Sequence, residues 1–297
     1  MSAMTHYDLC LPWYWEYDDA FVGMVERACV EQGRTLWQVT PTNLLEAITA
    51  LYKGEVNFGT LLDRAQGDIR FEPINRWASE HGARYINPRE LSLWSEDKAT
   101  MHLELIQAGL NTPHTILLPP FIEQPVAPSF DLTPLGDRFV IKPSNGGGGE
   151  GVILGASSME QIMRARTEFP THKYLIQAIV QPRLLEGRVA WFRCYYAAGE
   201  AFPCWWHPET HVFAVVTAEE KARYGLDRLW GDTKRIASIC KLDWFSTEIA
   251  LAEDFVVVDY VNDGIDTRVQ SRAADGVPDE IMQNIADRLV QLTKERP

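Results

Sequence analysis

The sequence predicts an α/β lobe followed by an α+β body, and three observations carry that reading. About the first 90 residues alternate strand-like and helix-like patterns with short connections. A glycine run, FVIKPSNGGGGEGVIL, then joins two apolar strands. From Gly187 onward, alternating apolar runs such as WFRCYYAAG and FVVVDYV predict an antiparallel sheet.

Taken in order, HYDLCLPW reads as a strand. In DDAFVGMVERACVEQG, the residues Phe21, Val22, Val25, Ala28 and Cys29 recur at helical spacing and Gly33 marks the stop. RTLWQVT, NFGTLLDRA and ARYINP read as further strands, with helices over TNLLEAITALYKG and FEPINRWASEHG between them. Such alternation implies a parallel sheet covered by helices on both faces, placed at residues 1 to about 90. Ser95 is expected to cap a helix through SEDKATMHLELIQAGL, which Gly109 ends. The proline-rich NTPHTILLPPFIEQPVAPSFDLTPLGD reads as extended chain and loop. RFVIKP and GVILGA flank the glycines. A helix around SMEQIMRARTEF and the strand YLIQAIVQP complete an α+β unit at 91–185. The last unit, 186–297, holds WFRCYYAAG, EAFPCWW, FSTEIALAE and FVVVDYV, then a helix over roughly PDEIMQNIADRLVQLTKE.

Composition narrows the partners. Lys and Arg number 28 against 41 acids, a formal net charge of -13, which repels phosphate backbones and anionic lipid. Neither nucleic acid nor membrane is therefore expected as a partner. An anionic nucleotide can bind only where a local basic pocket and metal ions overcome that background. Five scattered cysteines (Cys10, Cys29, Cys194, Cys204, Cys240) form no Cys-x-x-Cys pair, which argues for a reducing compartment and against a disulfide framework. MSAMTHYDLCLPWYWEYDD lacks the basic-then-apolar order of a signal peptide, and no apolar stretch reaches the length of a membrane span. The expected location is cytoplasmic.

The glycine run is the sharpest local feature. Gly146, Gly148 and Gly151 satisfy Gly-x-Gly-x-x-Gly, but an apolar strand from Val152 to Leu154 follows, where a dinucleotide fingerprint needs a helix. The Gly-Lys-Ser/Thr ending of a Walker loop is absent, and so are the His-Arg-Asp and Asp-Phe-Gly of a protein kinase. What is left is a β-hairpin whose tip can turn backbone N–H groups toward phosphate oxygens, with Lys142 beside it. A flexible tip with a solvated lysine is the bland alternative. Four successive glycines, however, carry an entropy cost with no packing return.

With that hairpin in view, the chain from about Asn87 onward resembles the ATP-grasp superfamily, which includes D-alanine–D-alanine ligases and the glutamate-ligase branch. The N-terminal part resembles the Rossmann-like lobe that precedes that fold. INPRELSLWSEDKATMHLELIQAGLNTPHT looks like the family segment whose lysine, here Lys98, meets the nucleotide phosphates. VIKPSNGGGGEGV resembles the second lysine and the mobile phosphate loop, which implies Lys142, Ser144, Gly146, Gly147, Gly148 and Gly149. YLIQAIVQP resembles the hinge strand beside adenine, which implies Gln177, Ala178 and Val180. GRVAWFRCYYAAGEAF resembles an Asp-x-Arg strand in which Arg193 takes the arginine position and Trp191 replaces the acid. With that acid missing, the resemblance leaves Glu186 as the expected substitute for the ribose contact. DWFSTEIALAEDFVVVDYVND resembles the magnesium strands, with Glu248 on the first. The second reads Asp259-Tyr260-Val261-Asn262, one residue longer than the family's Glu-x-Asn. Either Asp259 and Asn262 reach the metal through a bulge, or Asp263 substitutes for one of them.

The resemblance implies an ADP-forming carboxylate–amine ligase that uses ATP and magnesium. Arg193, Lys142 and Arg268 would carry charge, and the partners would be a small-molecule carboxylate and an amine or peptide. A homo-oligomer is left open. Two alternatives use the same fold: a kinase-like phosphotransferase, and a non-catalytic nucleotide-binding regulator. The regulator reading is supported by Trp191 and the irregular metal strand. Trp13, Tyr14, Trp15, Asp63 and Arg64 sit at strand ends where open sheets bind ligands. Cys204, His207 and His211 cluster around Pro208, and loop packing suits them better than zinc.

Overall fold

The computed structural model describes residues 4–126 and 128–294. Its N-terminal part runs β1 (Thr5–Pro12), α1 (Asp19–Glu31), β2 (Leu36–Val39), α2 (Leu44–Tyr52), β3 (Val56–Leu62), α3 (Glu72–Glu80) and β4 (Arg84–Ile86). The strands pair in parallel in the order β2-β1-β3-β4. Alternation along β1 sends its side chains into two cores. Leu9 and Leu11 pack with Phe21 and Val25 of α1, whereas Cys10 packs with Leu51 of α2 and Trp77 of α3. Helices therefore cover both faces, as the sequence pattern implies.

Next come α4 (Arg89–Glu96) and α5 (Lys98–Gln107), two helices where one capped by Ser95 was expected. The chain turns extended at Asp97, whose carboxylate accepts from the N–H groups of Ala99 and Thr100 at 3.0 and 3.1 Å. Ser95 lies instead in the last turn of α4 and donates to the carbonyl of Ser92. A carboxylate satisfies two orphan amides and also suits the positive helix end, so Asp97 is the stronger cap.

The second sheet contains β5 (Thr115–Leu118), β6 (Phe139–Pro143), β7 (Ile153–Ala156) and β8 (Tyr174–Ala178), antiparallel in the order β5-β8-β6-β7, with α6 (Met159–Glu168) between β7 and β8 in the chain. A small hairpin, β9 (Leu184–Leu185) and β10 (Arg188–Val189), leads to the third sheet. That sheet holds β11 (Trp191–Ala197), β12 (Glu200–Trp206), β13 (Phe213–Val215), β14 (Trp244–Leu251) and β15 (Phe255–Asn262), antiparallel in the order β13-β12-β11-β14-β15. Between β13 and β14 stand α7 (Ala218–Tyr224) and α8 (Asp227–Cys240), which the alternating runs around them did not suggest. A capping box of Thr217 and Glu220 starts α7, and α8 buries Leu229, Ile236 and Cys240 in the core beneath the sheet.

The last helix, α9 (Asp279–Gln291), is shorter than expected. A 3-10 turn follows it to Lys294, and Glu295 lies outside the described residues. Ile285 and Leu289 of α9 share a core with α1 and the third sheet, which ties the N-terminal lobe to the C-terminal one. Asn87 strengthens that tie by accepting from the N–H of Trp244 at 2.9 Å. Among the described residues no helix is long and apolar enough to cross a membrane. All five cysteines are unpaired and buried.

Candidate nucleotide and substrate site

Strand register builds the first wall of the site. Arg193 on β11 lies opposite Glu248 on β14, and Glu248 lies opposite Asp259 on β15. Residues directly opposite in an antiparallel sheet share a face. Arg193 Nη1 meets Glu248 Oε1 at 2.9 Å, and its Nε and Nη2 reach Ser246 Oγ at 3.4 and 3.3 Å. Trp191, two residues away and so on the same face, donates its indole N–H to Glu248 Oε2 at 3.2 Å. The residue standing where the resemblance implies an acid is thus a second donor to Glu248.

The extra residue in Asp259-Tyr260-Val261-Asn262 has a structural cause. Ser246 pairs with Asn262 and Glu248 with Asp259, so two steps along β14 match three along β15. That is a β-bulge, and it returns Asn262 to the side of Asp259, where Nδ2 donates to Oδ2 at 2.8 Å. Asp263, the alternative, is held elsewhere by the side-chain amide of Asn87.

Lys142 connects the second sheet to the third. It is buried, and its ammonium donates to the carbonyl of Val258 at 3.2 Å and lies 5.2 Å from the ring centre of Tyr260. The Tyr260 hydroxyl is held by His102 Nδ1 at 2.7 Å and Gln177 Nε2 at 2.6 Å, so Gln177 points into this buried network. Lys98 binds the root of the glycine loop twice, through its own N–H to the Ser144 carbonyl (2.8 Å) and through Nζ to the Gly146 carbonyl (2.7 Å). Gly146, Gly148 and Gly149 have positive φ, and the N–H groups of Gly146 to Gly149 donate to no group among the described residues. Gly151 closes the turn where a Cβ would stand 2.6 Å from the Phe169 ring. Ala178 ends β8, and Val180 lies just beyond it. Glu186 sits on the β9–β10 turn, half exposed, in an ion pair with Arg223, with no contact to the lysines or the carboxylate pair.

Burial sets the charge states here. It pulls the Lys142 ammonium below its ordinary range, while Asp259 acts to keep the proton on. For Asp259, burial opposes ionisation, but Lys142 and then Lys98 outweigh it, and the carboxyl is held below its usual range. Glu248 goes the other way: burial pushes it up against the pull of Arg193, and Asp259 adds to the rise. Glu248 and Asp259 are part-buried carboxylates that face one another, with Arg193, Lys142 and Lys98 around them. The oxygens of Glu248, Asp259 and the Asn262 amide are hard donors of the kind magnesium takes. The described residues contain no group of three His, Cys, Asp or Glu that could hold a metal. Such a partial set fits an ion whose remaining ligands come from phosphate oxygens.

No family model matches the sequence, and no curated protein matches it. Solved structures do. D-alanine–D-alanine ligase from Bacillus anthracis complexed with ATP aligns over 99% of this chain and 100% of its own, with a TM-score of 0.63 at 15% identity. The RimK domain ATP-grasp protein from Sphaerobacter thermophilus aligns over 95% and 98%, with a TM-score of 0.62 at 15% identity. The ATP-grasp ligase PsnB, complexed with its precursor peptide PsnA2 and AMPPNP, aligns over 99% of both chains with a TM-score of 0.61 at 12% identity. The chain has the ATP-grasp fold.

The ATP-grasp body also borders a cavity of about 780 Å³ against the N-terminal lobe. Tyr14, Trp15, Asp63 and Arg64 line it, whereas Trp13 bridges to Arg64 through its backbone and packs on the core. Arg268 is in the cavity wall, gripped by Asp266 at 2.6 Å and Asp275 at 3.0 Å, and does not join the Glu248–Asp259 pair. Arg193 stands between the two regions. Burial opposes its charge, Glu248 more than offsets this, and Asp259 and the cavity's Asp266 both add to the hold. Sequence reasoning missed Tyr17, Trp244 and Ile265, and gave Asp263 a different role. The Asp-Gly turn after an apolar strand was the available signal for this stretch. His207 Nδ1 accepts from the N–H groups of Glu209 and Thr210, and His211 stacks on Trp206, so the Cys204 cluster is loop packing.

Proposed function

We propose that the protein is an ATP-dependent ligase that activates a carboxylate as an acyl phosphate for capture by an amine, with ADP and phosphate as co-products. The observation that carries this reading is the convergence of Lys98, Lys142, the unbonded glycine-loop amides, Arg193 and the Glu248–Asp259–Asn262 set beside a separate cavity. Transfer of a γ-phosphoryl group needs positioning and neutralisation of spread charge, which is what this constellation supplies. Lys98, Lys142 and the loop amides hold phosphate oxygens. Glu248, Asp259 and Asn262 hold magnesium, which neutralises phosphate charge when bound. Arg193 steadies the transferring group and then the acyl phosphate.

In the first step a carboxylate oxygen of the substrate attacks the γ-phosphorus, and the bond to ADP breaks. The amine, its first proton given up to solvent, then attacks the acyl carbon, phosphate leaves with that oxygen, and a second proton passes to solvent as the amide forms. The neighbours of known activity or ligand are consistent with small-molecule or peptide substrates: one is a D-alanine–D-alanine ligase, another was solved with a precursor peptide. The unpaired thiols suit a reducing, cytoplasmic setting. Oxygen-18 in the substrate carboxylate tests the route, since one label must appear in the released phosphate. Label kept wholly in product, with AMP and pyrophosphate released, refutes it. Phosphate that stays attached to the product points to a kinase-like reaction.

A further inference from the structure

The cavity beside the ATP-grasp site carries a charge imbalance that its own walls do not resolve. Its lining includes four aspartates (Asp18, Asp63, Asp263, Asp266) and two arginines (Arg64, Arg268). Both arginines are already committed: Arg64 to Asp18 at 2.8 Å, Arg268 to Asp266 and Asp275. That leaves Asp63 and Asp263 with no ion-pair partner among the described residues. Asp63 still accepts from the Ala65 N–H at 2.9 Å and from Asn75 Nδ2 at 3.1 Å.

Asp263 is less well served. It is only 6% exposed; Asn87 holds one of its oxygens, and Oδ2 accepts no hydrogen bond. A buried carboxylate oxygen without a partner is costly and rare, and among the described residues the cavity has two, Asp263 Oδ2 and Asp18 Oδ2, of which only Asp18 also has an arginine partner. Glu96 on α4 is pushed up by burial and by the charge of Asp263, against the pull of Lys98, so it adds no positive charge to the cavity. An anion in this cavity would meet four carboxylates and no uncommitted cation. A neutral molecule would leave the charge of Asp263 uncompensated.

The same cavity is also lined by aromatic side chains. Trp15 and Tyr17 place their ring centres 5.1 Å apart at an interplanar angle of 56°, and Tyr14 joins them. All three are exposed to a degree unusual for such large rings, at 37%, 52% and 46%. Tilted, accessible aromatic faces and an incompletely bonded carboxylate lining the same cavity are the elements of a site for an organic cation.

We infer that this cavity binds a substrate carrying a positively charged amino or guanidino group, held between Asp263 and the Tyr14–Trp15–Tyr17 wall. The inference rests on the ligase reading only in calling the ligand a substrate; the cation preference stands on the cavity alone.

The test is calorimetric titration of the full chain with four probes: putrescine, agmatine, 1,4-butanediol and glutarate. Putrescine or agmatine should bind at least tenfold more tightly than the neutral diol or the diacid. Whichever of the two binds more tightly distinguishes ammonium from guanidinium. Asp263→Asn, which keeps an acceptor for Asn87, should weaken cation binding at least tenfold, and Trp15→Ala, at an exposed position, should weaken it as well. Equal binding of all four probes, or preference for glutarate, overturns the inference, and neither result depends on a variant folding. ATP with magnesium, titrated into the same wild-type protein, reports on the nucleotide site separately. A protein that binds ATP and ignores cations refutes the cavity assignment alone; one that binds cations and ignores ATP refutes the ligase reading alone.

Discussion

Lys142→Met is the sharpest test of the nucleotide site. Methionine keeps most of the length and apolar volume of the lysine stem, so the substitution removes the ammonium without opening a cavity. Wild-type Lys142 is buried and oriented by the Val258 carbonyl at 3.2 Å and the Tyr260 ring, so its charged hydrogen bond is pre-aimed. A charge-assisted hydrogen bond contributes about 1.5–3 kcal/mol, which at about 1.4 kcal/mol per decade is roughly a ten- to hundredfold loss of ATP affinity. Calorimetry with ATP and magnesium measures this directly. The ligand-free variant carries a second signature. The depressed carboxyl of Asp259 owes its shift chiefly to Lys142 working against burial. A carboxyl whose folded pKa lies below its unfolded value contributes stability above the unfolded pKa and loses it as pH falls through the folded one. Without Lys142 that contribution vanishes, while the burial cost of the ammonium is relieved. The melting temperature of the variant relative to wild type should therefore be lowest at pH values above the ordinary aspartate range and recover as pH falls below about 4. ATP affinity within twofold of wild type would refute the reasoning and return the glycine hairpin to the status of a flexible tip.

Glu248→Gln should keep the fold and abolish magnesium-dependent ATP turnover, since the amide cannot supply a charged oxygen; full activity would place the metal ligands elsewhere. Gly151→Ala should lower stability by about 2 kcal/mol in chemical denaturation, because a residue with positive φ would also push its Cβ into Phe169. Gly147→Ala, with open space around it and no positive φ, should leave stability unchanged in the same assay. For Asp8, burial raises the carboxyl, but hydrogen bonds from the Thr35 N–H and hydroxyl and from Arg34 bring it below its usual range. Asp8→Asn should therefore cost about 1 kcal/mol at neutral pH, a difference that fades as pH falls through the aspartate range.

What could be read from the sequence was local. The period-two and helical patterns of β1 to β4 and their helices are properties of adjacent residues, so the alternation and the parallel sheet between helices were legible, whereas the strand order β2-β1-β3-β4 was not. The glycine hairpin was equally so, because a glycine run between apolar strands has few other uses. What was not legible depends on partners distant in the chain or on competition between neighbours. Asp97 outcompetes Ser95 as a cap because its carboxylate reaches two amides, a matter of reach that residue preference alone does not decide. The helices α7 and α8 sit between strands and were masked by the alternation around them. The extra residue between Asp259 and Asn262 was visible, but its outcome was set by pairing with Ser246 and Glu248 on another strand. Asp263 was read with the metal strand because it follows Asn262 directly. Only the approach of Asn87, 176 positions earlier, shows where its carboxylate goes.

The net charge of -13 argues against phosphate ligands in general, yet the site is arranged so that this background does not govern it. Lys98, Lys142 and Arg193 face Glu248 and Asp259, three cations against two acids, while the cavity carries four aspartates against two arginines. Charge of opposite sign therefore separates the lysine and carboxylate cluster from the cavity, and Arg193 belongs to the first, paired with Glu248 and sensing Asp266. A nucleotide and a cationic amine would each be drawn to the region the other avoids. Moving Arg193 would disturb both sides at once, which accounts for its being held by Glu248, Ser246 and the Trp206 ring together.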